Sequence, residues 1–261
     1  MEQSSDGSFD EFPANWIEEP VGCDEVNDDG LKSHQHQRSF CPRCDRPVPL
    51  ACICSSLPDT PISLKKCHCL VIQHPHEVRR KNRSLPFIEL CLHPESLTVI
   101  QSRRLLSWKV LGLSGPDHPI WLLYPDPQAI SLTEALNRQQ QLIANHPTND
   151  DDNLPVRTIL LFLDATWKFA KEMHRKNQEE GRYPPNLQLV QLTAQDVADN
   201  QQFVPRRFDI RTPPSEGHFS TAECIAQTLS QVEDNATIYE TIMKPLDLMV
   251  QQWHSHQNQR R

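Results

Sequence analysis

The sequence predicts an α/β domain with a mainly parallel sheet, and three observations carry that reading. Short apolar runs alternate with stretches of helical periodicity from Cys67 onward. One of those runs, Ile159 to Leu163, halts abruptly at Asp164, as expected of a strand buried on both faces. No internal repeat and no run of about 18 apolar residues competes with that reading.

Each element follows from its own residues. Cys69–Ile72 reads as the first strand and is followed by His74-Pro75-His76-Glu77. A helix is expected to begin near Pro75 and to stop before Pro86, because proline suits a first turn and breaks a helix interior. Leu97–Ile100 and Ile120–Leu123 are further strands, the second leading into Tyr124-Pro125. Leu132, Ala135, Leu136, Leu142 and Ile143 share one face of a helix over Leu132–Ile143. The polar loop HPTNDDDNLP then leads to the central strand. After it, Asp164-Ala165-Thr166-Trp167 opens a helix capped by Asp164 or Thr166, with Lys168 and Glu172 paired one turn apart. Leu187–Leu192 reads as another strand, and a last helix starts near Ser220. The central strand delivers Asp164 to its carboxyl end, where open α/β sheets bind ligands. An ordinary strand-to-helix corner with a capping Asp fits the same tetrapeptide equally well.

Composition divides the chain into three parts. The 261 residues carry a net charge of −8, yet residues 1–30 hold ten acids and no Lys or Arg. The rest therefore carries 24 acids against 26 bases, close to neutral and able to present a basic face. Residues 1–38 read as a disordered acidic tail, 39–60 as a Cys-rich segment and 61–261 as the main domain. The start of the chain has neither a secretory signal nor a basic transit peptide, so a cytoplasmic or nuclear, reducing location is expected. Of nine cysteines, Cys41, Cys44, Cys52 and Cys54 stand together as C-x2-C-x7-C-x-C. Four thiols so close in sequence can converge on one tetrahedral zinc, and the alternative is a set of reduced, half-buried thiols. Cys67 and Cys69 alternate along an apolar strand and read as core.

Several activities lack their sequence signature. There is no G-x-G-x-x-G, no G-x-x-x-x-G-K-[ST] and no RNA-recognition-motif pattern. A nucleoside ligand would need a pocket built from loops at strand ends. Arg79, Arg80, Lys81 and Arg83 form one basic cluster, and Arg103-Arg104 and Arg206-Arg207 form two pairs. Such clusters suit RNA phosphates, because counterion release dominates nucleic-acid affinity, although a solvated helix face looks similar.

The Asp164-Ala165-Thr166-Trp167 tetrapeptide resembles the signature of the DTW-domain family. Other segments agree in the family's order over about residues 40–250: the Cys-rich head, His74-Pro75-His76-Glu77, Tyr124-Pro125, Ile210-Arg211-Thr212-Pro213-Pro214 and Ser220-Thr221-Ala222-Glu223. Ala165 stands where the family often has Gly, a departure between two small residues. The resemblance implies a SPOUT-like knotted α/β domain that uses S-adenosylmethionine to place an aminocarboxypropyl group on uridine, here in tRNA. It implies catalytic roles for Asp164, Thr166 and Trp167, with Asp164 either the proton acceptor or the group that orients the cofactor. It also implies cofactor contacts from His74, Tyr124, Leu163, Arg211, Ser220, Thr221 and Glu223. Each has a structural alternative: His74 as a strand-end cap, Arg211 as a partner of Asp209, and Ser220 with Glu223 as a capping box. Structural zinc and tRNA are the expected metal and partner, and no residues point to a membrane or to an obligate protein partner. An rRNA transferase, a knotted RNA methyltransferase and a non-catalytic zinc-stabilised RNA-binding module are the competing readings.

Overall fold

Seven residues, Thr158–Asp164, form the strand on which the sheet is built, and apolar side chains on both of its faces explain its central place. In the computed structural model the described residues are 39–80, 83–106, 118–145, 157–193, 196, 208, 210 and 219–258. Among them six strands form one sheet: Cys67–Gln73 (β1), Leu97–Gln101 (β2), Ile120–Leu123 (β3), Ile130–Ser131 (β4), Thr158–Asp164 (β5) and Leu187–Gln191 (β6). Their order is β2-β1-β5-β3-β6-β4, and every pairing is parallel. The helices are Pro75–Val78 (α1), Leu85–Cys91 (α2), Leu132–Asn145 (α3), Trp167–Glu179 (α4), Thr221–Val232 (α5) and Ala236–Asn258 (α6).

The strands sort their side chains by alternation. Cys69, Val71, Leu160 and Phe162 pack into a large core with Phe87 of α2, Leu132 of α3, Ile225 of α5 and Ile242 of α6. Leu70, Ile72, Ile159 and Leu161 pack on the opposite face with Met173 of α4. The Cys-rich segment belongs to the large core: Ile53 and Leu57 are buried in it, and Gln252 of α6 donates to the Cys52 carbonyl at 3.0 Å. A single 3-10 turn, Cys54–Ser56, is its only helix.

Two side chains pin the start of β1. The Glu233 carboxylate, just past α5, accepts from the backbone N–H groups of Lys65, Lys66 and Cys67 at 2.9 to 3.1 Å. Arg157, just before β5, donates to the carbonyls of Leu64 and Cys67 at 2.9 and 2.7 Å. Because the end of α5 sits at the beginning of β1, α5 runs antiparallel to the strands. Twelve helical residues span about 18 Å and seven strand residues about 23 Å. The first turn of α5 therefore points toward the carboxyl edge of the sheet.

Several expectations change. The helix begun at Pro75 lasts one turn, and Pro86 begins α2 instead of stopping α1. Its missing N–H costs nothing in a first turn, where no intrahelical acceptor exists. Thr166, not Asp164, caps α4, and Glu172 pairs with Lys176 at 2.6 Å instead of Lys168. Leu142 is exposed, whereas Leu132 and Ala135 of the same helix are buried. The 23-residue α6 and the two-residue β4 went unread. The acidic tail lies outside the described residues, as does most of the chain between β6 and α5, and the described residues do not test the implied knot.

Glu233→Ala strands three amide donors at once. It is expected to lower stability by about 2 kcal/mol, read as a drop in urea midpoint, with Glu233→Gln losing less.

Candidate active site and cysteine cluster

Residues from β1 and β5 meet at the carboxyl edge because the two strands run in register, Gln73 beside Asp164. Gln73 Nε2 donates to Asp164 Oδ2 at 2.8 Å, with both side chains buried. The His74 backbone N–H donates to the Asp164 carbonyl at 2.8 Å. Asp164 is thus a carboxylate fixed by an amide at the end of the central strand. Glu89 of α2 senses it: partial desolvation raises the Glu89 carboxyl, Arg83 pulls it back and Asp164 adds to the rise.

Thr166 ends the turn after β5. Its Oγ1 accepts from the Phe169 N–H at 3.3 Å, so the hydroxyl caps α4 and fixes where Trp167 leaves the sheet. Trp167 is half-buried at the first helical position. The positive end of α4 favours negative charge beside it.

His74 is buried and caps α1: its Nδ1 accepts from the His76 N–H at 3.1 Å, which makes Nδ1 an acceptor. Its ring stacks on Phe169 with centroids 4.4 Å apart and planes 4° from parallel. Burial lowers its basicity, Arg103 and His76 lower it further, and Glu172 opposes them.

Tyr124 and Leu163 pack on the α4 face, whereas alternation puts Asp164 and Gln73 on the side of the large core. Tyr124 stacks on His174 at 4.3 Å, and burial, aided by Asp126, pushes its phenol above the ordinary value. The hydroxyl of Tyr183 lies 3.0 Å from His174 Nδ1. The expected cofactor residues therefore flank the strand ends from two sides.

Ser220 and Glu223 form the capping box of α5. Ser220 Oγ accepts from the Glu223 N–H at 3.3 Å, and Glu223 Oε2 accepts from the Ser220 N–H at 2.7 Å. Glu223 Oε1 also accepts from the Phe208 N–H at 3.1 Å, tying the chain before α5 to the helix. Thr221 opens that helix. Arg79 and Arg80 are exposed just past α1, Arg80 pairs with Glu77 at 3.2 Å, and Arg83 is half-buried before α2. Lys81, Arg206, Arg207 and Arg211 lie outside the described residues. Gln73 and Glu89 were missed, since nothing in one sequence reveals which strand pairs with which; Arg103, read there as part of a basic pair, stands beside β1.

The four clustered cysteines converge. Cys41 and Cys54 sulfurs are 3.4 Å apart, Cys44 and Cys52 sulfurs 3.8 Å, and all four lie within 4.8 Å of one another. A tetrahedron with Zn–S bonds of about 2.3 Å has edges of about 3.8 Å, so the set fits zinc. The turn is tight: the Asp45 N–H donates to the Cys41 carbonyl at 2.9 Å, with Asp45 at φ 51°. Backbone amides of Cys44 and Arg43 bring the Cys41 thiol down to about 6, while burial and neighbouring sulfurs push Cys54 up to about 12. A central dication would favour the thiolate at all four. By contrast Cys67, Cys69 and Cys91 are fully buried core thiols.

Protein purified without chelator is expected to hold about one zinc per chain, and Cys44→Ser to lower metal content and melting temperature together. Elemental analysis finding less than about a tenth of a zinc would contradict the site.

Comparison with known proteins accords with this arrangement. The family model of the DTW domain matches residues 38–254. A Mus musculus protein named tRNA-uridine aminocarboxypropyltransferase 2 is 32% identical over 238 residues, 88% of this chain and 70% of its own. A Drosophila melanogaster protein of the same name is 27% identical over 216 residues, 81% of this chain and 73% of its own. The Arabidopsis thaliana tRNA-uridine aminocarboxypropyltransferase A is 29% identical over 221 residues, 82% and 81% respectively. No solved structure matches the chain significantly. With the match running through the cysteine cluster, the strand-end carboxylate and both C-terminal helices, this chain belongs to the DTW domain family.

Proposed function

We propose that this protein is a tRNA-uridine aminocarboxypropyltransferase that uses S-adenosylmethionine as donor and forms 3-(3-amino-3-carboxypropyl)uridine. The observation that carries the reading is the buried Asp164, held by Gln73 at the carboxyl end of the central strand inside the family's signature. The names of the relatives supply the reaction class. The described residues contain no helix long and apolar enough to cross a membrane.

In this reaction uridine N3 attacks the γ-carbon of the methionine-derived chain. An N–C bond forms, the C–S bond breaks, and its electron pair leaves on the sulfur of methylthioadenosine. The N3 proton must go to a base. Asp164 is the candidate, since Gln73 satisfies one carboxylate oxygen and fixes the direction of the group. The alternative role for Asp164 is to hold the donor's amino group. Trp167 offers an apolar wall beside the transferred chain, positioned by the Thr166 cap. Tyr124 bounds the site from the α4 face. The capping box of Ser220 and Glu223, with Thr221, shapes the loop that approaches from α5. Arg79, Arg80 and Arg83 supply positive charge for tRNA phosphates, and zinc at the cysteines holds the segment packed beneath α6.

Asp164→Asn keeps the size and removes the proton acceptor. Turnover is expected to fall by on the order of a hundredfold, with donor affinity retained if Asp164 is the base and lost if it is the orienter. Label on the carboxyl carbon of the donor should reach tRNA, and label on its methyl carbon should not. Methyl label in the RNA would sink the aminocarboxypropyl reading and favour a methyltransferase.

Replacing Arg79 and Arg80 together with Ala should weaken tRNA binding and flatten its salt dependence, with donor affinity unchanged. Equal tRNA affinity of variant and wild type at low and moderate salt would put the RNA on another face.

A further inference from the structure

We infer that His76 and Phe169, flanked by Arg103, form a stacking seat for a nucleobase of the RNA substrate. The inference rests on RNA being the substrate and identifies where a base is gripped.

Three rings meet where β1 ends. His74 lies flat on Phe169, and His76 stands edge-on to both, 4.9 Å from His74 at 79° and 5.2 Å from Phe169 at 75°. Their burial differs: His74 is sealed, Phe169 half-buried and His76 exposed. An exposed ring braced by two others is rigid, so little freedom remains to be lost when a flat ligand lands on it. The backbone fixes it too, because the His76 N–H is held by His74 Nδ1 at 3.1 Å and Pro75 restricts the turn.

The charges around the seat suit an RNA strand. Arg103 follows β2 on an exposed turn that is tied to β1, since the Ser102 N–H donates to the Gln73 carbonyl at 3.0 Å. It lies close enough to influence both His74 and Glu172. Arg79 and Arg80 continue the positive rim past α1. Single-stranded nucleic acid is held by this combination, aromatic faces for bases and a basic track for phosphates. The seat also adjoins Asp164, whose carbonyl accepts from the His74 N–H. A base stacked there belongs to the strand that enters the reaction site.

The test uses the full-length protein and a fluorescently labelled octauridylate followed by anisotropy. His76→Ala is expected to weaken binding about tenfold, whereas His76→Phe, which keeps a flat ring, stays near wild type. Phe169→Leu removes the brace and should also weaken binding. Arg103→Ala should reduce the salt slope by about one. Circular dichroism and thermal melting of each variant should show a cooperatively folded chain, which separates loss of the seat from loss of the fold. Equal octauridylate affinity for His76→Ala and wild type, or equal losses for His76→Ala and His76→Phe, would overturn the seat. Octauridylate binding is read without turnover. A wild type that transfers no label to tRNA would therefore refute the proposed reaction while leaving the seat to be judged by its own variants.

Discussion

The parallel register between β1 and β5 is the constraint on which the rest of the molecule depends. It pairs Cys67 with Thr158 at one end and Gln73 with Asp164 at the other. A slip of one residue would turn Asp164 toward the opposite face and bury Leu163 in its place. The register is fixed at its start by Glu233 and Arg157, which tie backbone groups near Cys67 to the end of α5 and the beginning of β5. Parallel pairs receive no help from a hairpin turn, so side chains distant in sequence must supply that fixation. Glu233 also aims α5, and with it the Ser220 cap, at the carboxyl edge.

That edge is polar because the strands end there, and its charges are arranged rather than merely gathered. Asp164 is buried under Gln73, Glu89 lies within its field, and burial and Arg103 make His74 less basic. Positive charge sits outside this group, on Arg79, Arg80 and Arg103. A buried carboxylate inside and cations outside are the arrangement that the proposed modification of an RNA base would use. The overall charge of −8 conceals this, since the acids concentrate in residues 1–30.

The cysteine cluster is joined to the same core. Ile53 and Leu57 pack with residues of α5 and α6, and Gln252 grips the Cys52 carbonyl. A metal there would stiffen the segment that covers α6, a helix that contains Pro245 and so lacks one backbone donor. The metal and the reaction site are then linked through packing and not through shared ligands.

Much was written in local sequence. The strand Ile120–Leu123 has the bounds its apolar run defines, and Ser220 with Glu223 makes the capping box that its spacing allows. The cysteines lie close in sequence, so short turns suffice to bring their sulfurs together. The order of the strands was not legible, because apolar periodicity reports burial and not partners. Gln73 gained a role only when β1 settled beside β5, and His76, Phe169 and Arg103 came together only through two strand ends and a helix start. Pro86 misled because proline breaks a helix interior yet suits a first turn, and only the actual start of α2 decides between them. The sequence by itself determined which residue types were available for chemistry and which segments would be buried. The tertiary structure decided which of them meet, because such contacts depend on register and on anchors far apart in the chain.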